Sequence, residues 1–224
     1  ASALAEAEVE YQDKDSFAID VRFAPQDRDS FLAVFSAGGS IAGTDEPISV
    51  VIWTTTPWTL PSSQAVCLHA DLDYGLVRCE LDQGAELLVV AMDMLEKIMI
   101  RYECESFEVV AQTTGAQLEN QILEHPFVER EVPLILGEHV TTEAGTGAVH
   151  TAPDHGVEDF NVGALYDIGT LNLVDENGVF TQAAGDFSGA HVYKVDEDII
   201  AKLRDAKALV ALDKITHSYA HCWR

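Results

Sequence analysis

The chain has 224 residues, is 47% apolar and 23% charged, and carries a formal net charge of −25. At ~100–200 residues per domain it makes one large domain or two small ones, and its apolar content excludes disorder as an overall description. No apolar run approaches the ~18 residues of a membrane span, and Ala1 to Glu10 holds three Glu and no Lys or Arg, which excludes a signal peptide. With 38 acidic and 13 basic residues, it is excluded as an unaided binder of long nucleic-acid backbone, because neutralising phosphates needs Lys and Arg.

In chain order, Phe17, Ile19, Val21 and Phe23 alternate with Asp20 and Arg22, which predicts a half-buried strand. The β-branched run Ile48–Thr55 predicts a buried one. Tyr74–Glu80 and Glu86–Val90 flank Asp82-Gln83-Gly84 and read as a hairpin. Met92, Leu95, Ile98 and Met99 recur at helical spacing, and Phe107–Thr113 and Val132–Leu136 read as further strands. Asn177-Gly178 inside Val174–Phe180 signals another hairpin turn. Val195, Ile199, Ile200 and Leu203 give a second amphipathic helix, and Ala208–Ile215 a last strand.

Strands outnumber helices and do not alternate with them. The expected class is α+β, strand-rich, with a closed or nearly closed β-barrel core and peripheral helices. Residues 1–224 read as one domain. The abrupt end at His221-Cys222-Trp223-Arg224 suggests a piece of a longer chain. Cys67, Cys79, Cys104 and Cys222 show no C-x-x-C spacing, so reduced thiols in a cytoplasmic protein are expected.

Two segments carry chemistry. The first is Trp53-Thr54-Thr55-Thr56-Pro57-Trp58-Thr59-Leu60-Pro61. Pro57 biases Thr56 towards extended geometry, so Thr54 and Thr56 face one way and Thr55 the other. Hydroxyls donate and accept, and such an edge can hold an ester, a ribose hydroxyl or a water. The plain alternative is that Thr is simply a good strand residue.

The second segment is Gly145-Thr146-Gly147-Ala148-Val149-His150-Thr151-Ala152-Pro153-Asp154-His155-Gly156-Val157-Glu158-Asp159. Its glycines let backbone N–H groups approach a ligand. His150 falls at a strand end, Pro153 and Gly156 make a turn, and Glu158 and Asp159 open a helix running towards Tyr166. The two acids could instead complement a helix dipole, and His150 could be a buried core histidine. His155 reads as a turn residue or as support for the site. No Lys or Arg occurs between Arg28 and Arg78 or between Arg130 and Lys194. A site built here suits a neutral or cationic small group, an ammonium above all.

Two rival readings stand beside a small-molecule site of this kind. His150, Asp154, His155, Glu158 and Asp159 are plausible ligands of a metal-dependent hydrolase, although a turn with Pro153 and Gly156 is a poor rigid cage. A non-catalytic binding module is the other.

The two segments together closely resemble the editing domain of bacterial isoleucyl-tRNA synthetases. The sister valyl and leucyl enzymes carry Arg-Pro after two threonines, whereas Thr56 stands before Pro57 here. Tyr11-Gln12-Asp13-Lys14 and His217-Ser218-Tyr219 with Cys222-Trp223-Arg224 resemble the family's domain boundaries. The resemblance implies a β-barrel core with peripheral helices, inserted into a longer synthetase. It implies hydrolysis of the ester of valine misloaded on isoleucine tRNA, with valyl-adenylate as a second candidate substrate. It implies no cofactor in this domain, no membrane, a monomer when isolated, and as partners the tRNA 3′ end and the rest of the synthetase.

The resemblance also assigns residues. Thr54, Thr55, Thr56 and Thr59, with Trp53 and Trp58, would line the pocket for terminal adenosine and amino acid. Asp159 would hold the α-ammonium, and His150 would shape the side-chain pocket and exclude isoleucine. Thr55 or Thr56, with backbone N–H groups near Gly145, Thr146 and Gly147, would orient water and stabilise the oxyanion. No Ser or Cys nucleophile with a partnered His is evident, which argues against a covalent intermediate. One methylene shifts pocket affinity by roughly 1–3 kcal/mol, a range for which this family's isoleucine–valine choice is itself the standard example. A second site that excludes the larger side chain multiplies that discrimination.

Overall fold

The computed structural model describes residues 9–35 and 45–222, with side chains over 16–35 and 45–215. Trp223 and Arg224, part of the expected C-terminal boundary, lie outside the described residues. The strands are β1 (Val9–Phe23), β2 (Ile48–Thr54), β3 (Ala65–Leu68), β4 (Asp73–Leu81), β5 (Gly84–Ala91), β6 (Phe107–Thr114), β7 (Ile122–Glu124), β8 (Glu131–Leu136), β9 (Ala148–Thr151) and β10 (Leu209–Cys222). The α-helices are α1 (Arg28–Phe35), α2 (Leu95–Arg101), α3 (Gly115–Leu118), α4 (Val157–Leu165) and α5 (Asp196–Asp205). No helix among the described residues is long and apolar enough to cross a membrane.

A six-stranded sheet runs β10-β1-β2-β5-β4-β6, and a four-stranded sheet runs β7-β8-β3-β9. The alternation in β1 places Ile19, Val21 and Phe23 in the core with no exposure. β2 is buried along nearly its whole length, as its β-branched run requires, because β1 and β5 flank it and the core covers it. The β4–β5 hairpin turns at Asp82-Gln83, with Leu81 opposite Gly84, and Gly84 takes the positive φ of +102° that the tight turn needs.

The strand-rich α+β class with peripheral helices is the one expected. The ladder, however, divides into two sheets rather than closing on itself. β2 and β9 adjoin without pairing. Just before β9, Gly145 and Gly147 take φ values of +81° and +77°, which breaks the extended backbone where a ladder would have to continue. Two other bonds tie the sheets at this seam. The Ala91 N–H donates to the Thr146 carbonyl at 2.9 Å, and the Tyr74 hydroxyl donates to the Gly147 carbonyl at 2.6 Å.

One apolar core is shared by both sheets. Val66, Leu68 and Leu134 of the small sheet pack with Leu76, Leu88 and Val90 of the large one. The opposite face of β3, Ala65 and Cys67, joins Ile135, Val140 and Val162 in a second cluster beneath α4. β3 is thus covered on both sides, and it carries the positions next to the candidate site. Cys67, Cys79 and Cys104 are buried free thiols, and burial pushes those of Cys67 and Cys79 up to about 12. They behave as small core residues.

Candidate functional site

The chain leaves β2 at Thr54 and turns through a 3-10 segment, Pro57–Ser62, before entering β3. Pro57 opens that turn, where its missing N–H costs nothing. Thr54 Oγ1 accepts the Thr56 N–H at 3.1 Å, so the sharp exit from the strand is held by the strand's own hydroxyl. The Thr59 hydroxyl donates to the Thr56 carbonyl at 2.9 Å.

β3 pairs antiparallel with β9, with Val66 opposite His150. That pairing brings His150 back onto the turn across 91 positions of sequence. His150 Nε2 lies 3.1 Å from Thr59 Oγ1. Because the Thr59 proton goes to Thr56, the consistent arrangement has His150 Nε2–H donating to Thr59 and Nδ1 as a bare lone pair. Nδ1 is buried and without a hydrogen-bond partner in the structure. Burial, then the neighbouring His125 and His155, lower the His150 pKa to about 4. At neutral pH the ring is uncharged and firmly placed.

The far side of the turn is anchored as well. His125 Nε2 bonds the Leu60 carbonyl at 2.9 Å, and Arg130 Nη1 donates to the Pro61 and Ser63 carbonyls at 2.9 and 2.7 Å. These bonds satisfy carbonyls that a short 3-10 segment leaves open.

After β9 the chain turns at Pro153 and enters α4 with Gly156 as N-cap. Asp159 lies in the first turn, but its Oδ2 accepts the N–H of Ala152, outside the helix, at 2.7 Å. The carboxylate is therefore a strut between helix and strand end as well as a charge near the helix N-terminus. Burial raises its pKa, and the Ala152 bond opposes that rise. His155 Nε2 lies 3.1 Å from Ser62 Oγ, and its ring meets Trp58 edge-on with centroids 5.1 Å apart. Burial lowers the His155 pKa.

These residues enclose a cleft of about 200 Å³, lined by Trp53, Thr54, Thr56, Thr59, Val149, His150, Ala152, His155 and Asp159. The two sequence segments thus meet. Thr54 and Thr56 line the cleft and Thr55 does not, as the strand alternation predicts. Among the described residues no Lys or Arg lines it. One carboxylate, several hydroxyls and neutral imidazoles suit an ammonium beside a polar, uncharged group.

Some predicted site residues lie outside the lining. Trp58 packs on His155. Gly145 backs Trp53, where a Cβ would lie 3.2 Å from the Trp53 Cβ. Thr146 is buried and its hydroxyl donates to the Ala148 carbonyl at 3.3 Å. Gly147 abuts Ala91, whose Cβ would collide with any side chain there. The Gly145–Gly147 backbone thus serves the seam between the sheets.

His155, read from sequence as turn or support, lines the cleft itself. The sequence shows no serine nucleophile with a partnered histidine, and the structure adds a Ser62–His155 pair. Ser62 is 1% exposed and is not part of the lining, so it fixes the imidazole rather than facing a ligand. Among the described residues no three His, Cys, Asp or Glu side chains converge as a metal site. His150 and His155 each commit Nε2 to a hydroxyl instead.

No family model matches the chain. It is 58% identical over 223 residues to the isoleucine–tRNA ligase of Marinomonas sp. (strain MWYL1), 57% to that of Teredinibacter turnerae and 53% to that of Pseudoalteromonas atlantica. Each match covers the whole of this chain, which spans 23% of the first two relatives' length and 24% of the third's. The crystal structure of GlLeuRS-CP1 matches at TM-score 0.65 and 12% identity, over 88% of this chain and 99% of that one. The P. knowlesi cytosolic leucyl-tRNA synthetase editing domain matches at TM-score 0.65 and 8% identity, over 92% and 97%. The chain is therefore similar over its whole length to a segment of isoleucine–tRNA ligases, and it has the fold of the synthetase CP1 editing domains.

Proposed function

We propose that this segment, residues 1–224 acting as one domain, hydrolyses the ester of valine misloaded on isoleucine tRNA and rejects isoleucine. The observation that carries the reading is the cleft itself. It gathers one carboxylate, Asp159, the side chains of Thr54 and Thr56, and the neutral His150 ring in a single lining.

Asp159 pairs the α-ammonium through the oxygen not bonded to Ala152, and this fixes the ester carbonyl. Thr54 has accepted from the Thr56 N–H and keeps its own proton to donate. Thr54 and Thr56 hold the ester oxygens and the attacking water, and a hydroxyl of the terminal ribose assists. Water adds to the carbonyl carbon, the acyl–oxygen bond breaks, the ribose oxygen takes a proton and valine leaves. The ester is already activated, so orientation and polarisation suffice.

His150 is the sieve. Locked by Thr59 and uncharged, it offers a fixed wall that accepts two methyls and meets the extra methylene of isoleucine as a clash. Thr59 has both roles of its hydroxyl filled internally and acts by holding His150. The tRNA end enters from the rest of the ligase, which supplies the phosphate contacts, and the segment works in the cytoplasm with that body.

The deciding assay is hydrolysis of valyl- and isoleucyl-tRNA, both on isoleucine tRNA, by the ligase carrying this segment and by its Asp159→Ala variant. Valine-selective hydrolysis abolished in the variant is expected. A variant that edits normally would sink the assignment. Binding of a valyl-adenosine analogue without any hydrolysis would instead support a module that only holds the tRNA end.

A further inference from the structure

Next to Trp53 lies a largely buried charged network that the proposed reaction does not use. Asp20 of β1 is 1% exposed. Its Oδ1 accepts from Arg101 Nη2 at 2.6 Å and from the Tyr102 hydroxyl at 2.8 Å. Arg101 closes α2, and Tyr102 follows it. The same Arg101 Nη2 reaches the Gly145 carbonyl at 3.4 Å, a long and weak bond. Arg101 Nε is buried and has no hydrogen-bond partner in the structure.

The position of this network matters more than its strength. Asp20 is the cross-strand partner of Trp53 in the β1–β2 pair. Directly opposed residues of an antiparallel pair project to the same face. Trp53 lines the cleft and is backed by Gly145, where a Cβ would come 3.3 Å from the indole Cε3. The network therefore joins two neighbours of the indole, its β1 partner Asp20 and, through the long bond, the Gly145 backbone. A buried ion pair is seldom retained for stability, since apolar groups of similar volume often serve as well or better. A fixed geometry is what a charged, directional network adds.

We infer that Asp20, Arg101 and Tyr102 are positioning residues for Trp53, setting the indole wall of the cleft through the opposing strand and the Gly145 loop. The inference rests on the proposed editing reaction only for its kinetic readout. The placement of Trp53 is read separately.

The test uses the pair Asp20→Asn with Arg101→Met, which removes both charges together, and the milder Tyr102→Phe. Each is made with Trp53 intact and with Trp53→Phe. The first readout is 19F NMR of the 224-residue chain labelled with 5-fluorotryptophan, the Trp53 resonance being assigned by its loss in Trp53→Phe. The Trp53 resonance is expected to shift or broaden in both variants while that of Trp58 stays in place.

The second readout is valyl-ester hydrolysis by the ligase carrying the segment. With Trp53 intact, the charge-free pair should raise KM about tenfold and change kcat less than about twofold, below the ~100-fold cost of a full 1 Å misplacement of reacting groups. In the Trp53→Phe background the same change should add less than about twofold, because its route is gone. An unmoved Trp53 resonance, or kinetic effects that simply add across the two backgrounds, would overturn the inference. A ligase that hydrolyses no valyl ester at all would overturn the proposed function, and the 19F result would still judge the positioning role.

Discussion

Replacing Asp159 by Asn removes a charge and little else. The amide oxygen can still accept the Ala152 N–H that Oδ2 now accepts at 2.7 Å, so the strand end and the start of α4 keep their strut. What disappears, on the proposed reading, is the ionic hold on the substrate ammonium. Two unit charges ~4 Å apart attract by ~4 kcal/mol at an effective dielectric constant of ~20. Part of that is offset by desolvation, which already raises the Asp159 pKa. Hydrogen bonds to charged groups have net values of ~1.5–3 kcal/mol, which leaves ~2–3 kcal/mol for this contact. At ~1.4 kcal/mol per tenfold, kcat/KM for valyl-tRNA should fall ~30–150-fold.

The loss must also depend on the ammonium. The assay therefore pairs valyl-tRNA with the 2-hydroxyisovaleryl ester on the same tRNA, which has the same shape and no amine. The unaltered enzyme should prefer the valyl ester ~30–150-fold. The Asn variant should treat the two esters within about threefold, because nothing else lining the cleft carries a negative charge. An Asn variant as active as the parent would refute the reasoning. So would equal losses on both esters with the preference intact, since Asp159 would then act by shape alone.

Three further outcomes follow from the same geometry. His150→Ala should open the cleft to isoleucyl-tRNA and remove the valine preference, since without the steric wall one methylene of contact favours the larger side chain, by ~10–200-fold at most; unchanged selectivity in the hydrolysis assay would remove His150 as the sieve. Stability should fall with acid. His125 and His150 titrate near 4 when folded, below an unfolded value of 6.5, so between those limits the unfolded chain binds more protons and stability drops as pH falls, approaching ~2.7 kcal/mol per pH unit for two protons. Asp20 and Asp159, whose pKa values burial raises, act in the opposite sense at the lower end, so urea unfolding between pH 7 and 5, with His125→Gln and His150→Gln flattening the slope, isolates the histidines. Tyr74→Phe should cost ~2–4 kcal/mol in the same unfolding assay, because it leaves both the Gly147 carbonyl and the His69 N–H, held at 2.6 and 3.0 Å, without their partner. A cost below ~0.5 kcal/mol would show that this seam between the sheets is not held there.

Periodicity carried most of the fold. The strands at Phe17, Ile48, Tyr74, Glu86 and Phe107 and the helices at Leu95 and Asp196 follow from local signals: alternation in β1, a β-branched run in β2, a turn between β4 and β5, and helical spacing in α2 and α5. The short elements left no such trace. β3 has four residues covered on both sides, so Ala65–Leu68 shows no alternation, and α1 rests on Phe31 and Phe35 alone. The seam between sheets was hidden for another reason. Its glycines read as ligand-facing, and only the contacts of Gly145 with Trp53 and of Gly147 with Ala91 show them as close packing of backbone on neighbours. In the site, the Thr54/Thr56 alternation and the placing of His150 at a strand end could be read locally. The Ser62–His155 pair spans 93 positions and depends on how the 3-10 turn meets the β9–α4 loop, which no local pattern encodes.

The charge balance and the site explain each other through the arginines. Arg22 pairs with Glu86 and donates to the Leu209 carbonyl. Arg78 bridges Glu46 and Glu108, Arg101 holds Asp20, and Arg130 holds the Pro61 and Ser63 carbonyls. Each of these cations is committed to an internal partner, and none of them lines the cleft. A free carboxylate would therefore meet only Asp159 and neutral groups, and would be repelled. An amino acid esterified to tRNA has no free carboxylate but keeps its ammonium. Under the proposed function, the same scarcity of cations would let the cleft tell an aminoacyl ester from a free amino acid, and free valine is expected not to compete in the hydrolysis assay.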